Sequence, residues 1–109
     1  MKITKGIFKI NTNRGWKEYE GSYSIRFPFL LHREKSQKWW TISHLATGMS
    51  IMKVSKVQIA RQNIKKLQKY GVFLMPCLDT WKMAKARMLE KEPKEYEALL
   101  EIIKGEKDE

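Results

Sequence analysis

The alternation of apolar and polar positions divides the chain into a strand-like first half and a helical second half. Ile3, Ile7, Phe8 and Ile10 mark a short apolar segment, broken at turn-prone residues 11–15. Tyr23, Ile25, Phe27 and Phe29 alternate with Ser22, Ser24, Arg26 and Pro28, the cleanest period of two in the sequence. That pattern predicts a strand with a buried aromatic face and a Ser/Arg face turned to solvent or to a partner. Pro28 has no ladder donor, so a sheet edge or a bulge is expected there. Residues 33–38 are polar and read as a loop. Trp39–Ser43 and Met49–Val54 read as two further strands joined near Gly48, which can supply the positive φ of a tight turn.

From Ser55 onward the period lengthens. Ser55 suits a helix N-cap, and Val57, Ala60, Ile64 and Leu67 fall on one helical stripe running towards Tyr70. Gly71 suits the left-handed residue that ends a helix, and Val72–Met75 reads as a buried strand or connector stopped by Pro76. A second helix is expected from an Asp79 or Thr80 cap, with Trp81, Ala84 and Met88 on one face. Pro93 either kinks it or opens a third helix, whose apolar face is Tyr96, Leu99, Leu100 and Ile103. The simplest architecture that buries these stripes is α+β. It has an antiparallel sheet of three to four strands with two to three helices on one face and the other face open. Residues 1–104 are expected to form a single domain, and 105–109 a frayed acidic end.

Charge alters this picture most. The 109 residues carry 22 Lys and Arg against 12 Asp and Glu, a formal net charge of +10. Residues 55–88 hold eight basic groups and one acid, Asp79, whereas residues 89–109 hold four basic groups and eight acids. A basic body with an acidic end attracts polyanions at long range, and nucleic acid is the commonest of these in the cell. Hydrophobic content of 42% and the aromatic content exclude a disordered chain. No apolar run reaches the roughly 18 residues of a membrane span, and no signal-peptide core follows Met1. A lone cysteine, Cys77, makes neither a disulfide nor a cysteine-based zinc site and is expected to be buried and inert. A cytoplasmic protein without membrane contact is the expectation.

The segment from Ser55 to Tyr70 contains Lys56, Arg61, Lys65, Lys66 and Lys69 and no acid. Arg61, Lys65 and Lys69 form one row at spacings of four, away from the apolar stripe. Like charges at that spacing cost a few tenths of a kcal/mol per pair, which an external anion would remove. Arg33, Lys35 and Lys38 next to Trp39 form a second basic–aromatic cluster of the kind single strands favour, and Arg14-Gly15-Trp16-Lys17 repeats the pairing in a loop. Trp39 and Trp40 lie on opposite strand faces, so at least one of them is expected in the core.

Catalysis has little support. Glu18 and Glu20 could share a strand face, but nothing in the sequence brings Asp79 to them as a metal-dependent nuclease would need. His32 and His44 lack helical ligand spacing and read as surface or half-buried strand residues. No phosphate loop or nucleophile motif is present. The expectation is a small, non-catalytic protein without metal or cofactor, binding DNA or RNA through Arg61, Lys65, Lys66 and Lys69 with help from the Arg33–Lys38 segment. The alternative is a compact protein-binding adaptor or inhibitor, of phage or mobile-element type, set against an acidic surface of a host nucleic-acid-processing or defence complex. The apolar C-terminal helix leaves room for a homodimer. Glu95, Glu97 and Glu101 read as the outer face of that helix, in preference to an acidic tail folded back on the basic one.

Overall fold

The computed structural model describes residues 2–12 and 14–104. The expected acidic end, 105–109, lies outside the described residues. The chain forms β1 (Thr4–Thr12), β2 (Gly15–Arg26), β3 (Phe29–Glu34), β4 (Trp40–His44) and β5 (Ser50–Val54). Three helices follow, α1 (Val57–Leu67), α2 (Leu78–Lys91) and α3 (Pro93–Lys104), with a 3-10 helix at Gly71–Leu74 between the first two. The five strands make one antiparallel meander in chain order, and the helices pack on one of its faces. The fold is α+β, with one strand more than the alternation suggested.

The extra strand comes from a turn inside the aromatic run. Phe27-Pro28 is a cis peptide at the β2–β3 turn, and Arg26 pairs with Phe29 across it. Phe29 therefore opens a new strand on the helix-packed face and is fully buried, while Ile25 and Phe27 are 60% and 66% exposed. The expected buried aromatic face of one long strand is thus corrected. Tyr23 and Ile25 share the sheet's other face, and it is Ser24, opposite Leu31 under the helices, that is buried.

Two layers of apolar side chains fill the space between sheet and helices. Leu31, Ile42, Met52 and Val54 from the strands meet Ala60, Ile64 and Leu67 of α1, Phe73, Trp81 of α2 and Leu99 of α3. Trp40 joins this core, and Trp39 faces away from it, 41% exposed. His44 ties the layers together. Its Nε2 donates to the Phe73 carbonyl at 2.6 Å, and its Nδ1 accepts from the Thr47 hydroxyl at 2.8 Å. Thr47 Oγ1 in turn accepts from the Met49 amide, and the imidazole stacks on Trp81 with ring centres 5.3 Å apart. Both ring nitrogens are occupied, so His44 is a structural pin. Sequence had suggested surface or half-buried histidines, but His44 and His32 are fully buried, at 0% and 3% exposure.

Helix ends also differ from expectation. The N-cap of α1 is Lys56, without a side-chain hydrogen bond, and not Ser55. Gly71 has no positive φ and begins the 3-10 helix, because the chain turns inward to bury Val72 and Phe73. Cys77, and not Asp79 or Thr80, caps α2; its exposed thiol sits 3.4 Å from the Thr80 hydroxyl, which holds the thiol pKa below its usual value. Asp79 lies in the first turn, where its charge complements the helix dipole. Pro93 occupies the first position of α3, where a missing amide costs nothing.

The sheet is folded over along its first hairpin. Gly6 and Gly21 are directly opposite each other in β1 and β2, giving the ribbon a crease without side chains. Beyond the crease the ribbon bends across the concave face, and Asn11 reaches the β4–β5 turn, its amide donating to the Gly48 carbonyl at 3.0 Å and its side chain to Thr47. In a flat sheet Phe8 would lie about 13 Å along and about 10 Å across from His32. Their ring centres are 4.9 Å apart. The face expected to be open is therefore partly roofed.

Candidate nucleic-acid interface

Strand register and the course of α1 decide which basic groups can act together. The apolar stripe of α1 is seated on β4 and β5, which turns Lys65, Lys66 and Lys69 to solvent. Helix α1 begins three residues after Val54, opposite Trp40, and its C-terminal end reaches the β2–β3 turn, where Gln68 donates to the Phe27 carbonyl at 3.0 Å. The Arg61–Lys65 side of the helix is thereby brought against Arg26 of β2, and these three cations line a shallow hollow with Ile64 and Gln68. Arg61 is half-buried there. Lys65 and Lys66 lie in the last turn of α1, where the helix dipole favours cations and offsets part of their mutual repulsion. Lys65, Lys66 and Lys69 form no ion pair with any carboxylate among the described residues.

A second cluster lies on the same side of the sheet. Lys5, Ser22 and Arg33 are neighbours across β1, β2 and β3, and Arg33 has the parity of Phe29 and Leu31, which face the helices. Lys5, Arg33 and Lys35 line a second hollow around Gly21, with Glu20 at its edge. The Arg33 guanidinium also lies over the Trp40 ring, 4.8 Å from its centre, so it is held in place by a buried aromatic. From Ser22 to Arg26 the two clusters are separated by four residues of β2, about 13 Å. The Ser/Arg face of β2 thus runs between them.

Trp39 and Lys38 do not join this surface. Trp39 has the opposite parity to Trp40, and Lys53, which pairs opposite Thr41 on the concave face, sits over its ring at 5.3 Å. Lys38 is exposed in the β3–β4 turn, at the far end of the strands from Lys69. Arg33 belongs to β3 and not to a loop, which separates it from Lys38 and Trp39. The sequence missed Lys5 and Arg26, whose part depends on cross-strand register. The one available signal was the Ser/Arg face of the 22–28 alternation.

Glu18 and Glu20 do share a strand face, but Glu18 is paired with Lys9 at 3.8 Å, and Asp79 belongs to the first turn of α2. Among the described residues no three His, Cys, Asp or Glu side chains come together as a metal site would require. Glu95, Glu97 and Glu101 are exposed on α3. No helix among the described residues is long and apolar enough to cross a membrane. Neither protein-family models, nor curated proteins, nor solved structures give a match to this chain.

Proposed function

We propose that the protein is a non-catalytic nucleic-acid-binding protein that holds the phosphate backbone along the helix-packed side of its sheet. The observation that carries this reading is the placement of two cationic clusters, Lys5/Arg33/Lys35 and Arg26/Arg61/Lys65, on one sheet side about 13 Å apart along β2. Duplex DNA presents roughly eight phosphates over that length. Holding so many like charges together raises the energy of the free protein, and a polyanion lying along the track lowers it again. Lysine and arginine contacts to phosphate fix position without reading bases, so the binding is weakly sequence-selective.

The test is salt dependence. If about five phosphates are neutralised, log K falls against log salt with a slope of roughly −4.5. The Lys65→Glu/Lys69→Glu double variant is expected to bind a random oligonucleotide at least tenfold more weakly, with a slope shallower by about 2. Lys91→Glu/Lys94→Glu changes net charge equally, on the acidic side of the molecule, and is expected to stay within about twofold of the unmodified protein. A slope near zero, or a Lys65→Glu/Lys69→Glu variant that binds normally, overturns the proposal. Co-purification with one host protein, without an oligonucleotide shift, would favour the adaptor instead.

A further inference from the structure

The crease at Gly6 and Gly21 creates a second feature, away from the basic track. The folded ribbon and the concave face of β3–β5 enclose an open cleft of about 390 Å³. That size falls within the range of small-molecule sites. Its floor combines aromatic and polar groups. Phe8 stacks against Tyr19 with ring centres 6.2 Å apart and lies against His32, while Thr41 and Ser43 line the same wall. All three of these polar residues are almost fully buried, at 3%, 5% and 1% exposure. A curled sheet that only needed to close on itself would fill its interior with aliphatic side chains, as small barrels do. The opposite face of these same strands does so, with Leu31, Ile42 and Met52.

Here aromatic and hydrogen-bonding groups stand among only two aliphatic side chains, Ile10 and Met49. His32 Nε2 is engaged with Ser43 Oγ at 2.8 Å, which holds the imidazole in place and leaves Nδ1 without a hydrogen-bond partner among the described residues. Asn11 and Gln37 bring amides to the rim. Lys53 is the cation of the lining, with its ammonium held over the half-exposed ring of Trp39. Glu34 also lines the cleft and excludes a strongly anionic ligand centre from that side. A ligand that satisfies this set is flat, aromatic and edged with donors and acceptors, and carries its negative charge at one end only.

We propose that the concave cleft binds a nucleobase, its ring against Phe8 and Tyr19, its edge towards His32 and Thr41, and its phosphate beside Lys53 at the Trp39 end. This site is independent of the basic track, which lies on the other side of the sheet. The base could belong to a free mononucleotide or to an unstacked position of a single strand, and the two sources share the same chemistry.

The experiment is a backbone amide chemical-shift titration of the full chain with adenosine and uridine 5′-monophosphates, a short single-stranded oligonucleotide, and inorganic phosphate. Shifts from at least one mononucleotide or from the oligonucleotide are expected at His32, Thr41 and Ser43 and in the ribbon around Phe8. Saturation by a mononucleotide identifies the free nucleotide as ligand; cleft shifts with the oligonucleotide alone identify a strand. Lys53→Ala, an exposed rim change, is expected to weaken the interaction at least fivefold. Lys65→Glu/Lys69→Glu is expected to leave mononucleotide binding unchanged, which separates failure of this site from failure of the basic track. Cleft residues unmoved by mononucleotides and by the oligonucleotide alike, or shifted equally by inorganic phosphate, would overturn the assignment.

Discussion

Replacing Gly21 by alanine is expected to destabilise the protein by about 3 kcal/mol or more, the range in which backbone strain and core disruption fall. A Cβ built on Gly21 would run into the Arg33 carbonyl oxygen and lie 3.0 Å from the Arg33 carbon and the Glu34 Cα. All three obstacles are backbone, so no side-chain rotation relieves them. Either the β2–β3 ladder opens from Gly21↔Glu34 onward or the crease flattens. Flattening would withdraw Asn11 from the Gly48 carbonyl and Phe8 from His32, and with them the roof of the cleft. Urea unfolding measures the loss. Two glycines serve as internal standards. At Gly6, opposite Gly21, an added Cβ meets the Tyr23 ring at an ordinary 3.5 Å, so alanine there costs much less. At Gly71 it meets nothing within 4 Å, and alanine is expected to be neutral or to stabilise by up to about 1 kcal/mol through the unfolded state. A Gly21→Ala variant no less stable than Gly6→Ala would show that the ribbon does not pivot at this pair.

The contrast between these glycines bears on what could be read from the sequence. A period of 3.6 survives packing, so the Val57/Ala60/Ile64/Leu67 stripe and the helical second half were legible, while Pro93 was marked as either a kink or the start of a third helix. A period of two does not reveal a turn that preserves it. The alternation from Tyr23 to Phe29 runs through Phe27-Pro28 without a break, yet Arg26 pairs with Phe29 and the aromatic set is divided between two faces. The Gly6↔Gly21 crease joins residues far apart in sequence and is defined only once register is fixed. The same holds for the basic surface. Arg61, Lys65 and Lys69 declared themselves by spacing within one helix. Arg26 becomes their neighbour because α1 ends at the β2–β3 turn, Lys5 joins Arg33 through strand pairing, and strand parity carries Trp39 away from both.

Lowering the pH from 7 to 4.5 is expected to remove about 2.5 kcal/mol of stability through His32 alone. This imidazole is buried between Phe8 and Ser43, and desolvation brings its pKa from the usual 6.5 down to about 4. Because the unfolded chain takes up a proton near 6.5 and the folded one only near 4, the unfolded state binds more protons throughout that interval. The His32 contribution is therefore complete above pH 6.5, declines as the pH falls, and is gone below about 4, a total of about 3 kcal/mol. His44 acts in the same direction, since burial lowers its pKa and the hydrogen bond to the Phe73 carbonyl only partly opposes this. The two histidines can be separated by variant. His32→Gln keeps a polar group facing Ser43 but does not titrate, so its urea midpoint is expected to change far less between pH 7 and 4.5. The residual slope then reports His44. A unmodified protein and a His32→Gln variant with parallel pH profiles would mean that His32 is not held neutral against Phe8. The crease would then be more open than the 4.9 Å ring contact implies. Occupancy of the cleft gives an independent check on the same residue: a ligand that binds only the folded protein stabilises it and moves the midpoint of the acid transition downwards as ligand is added.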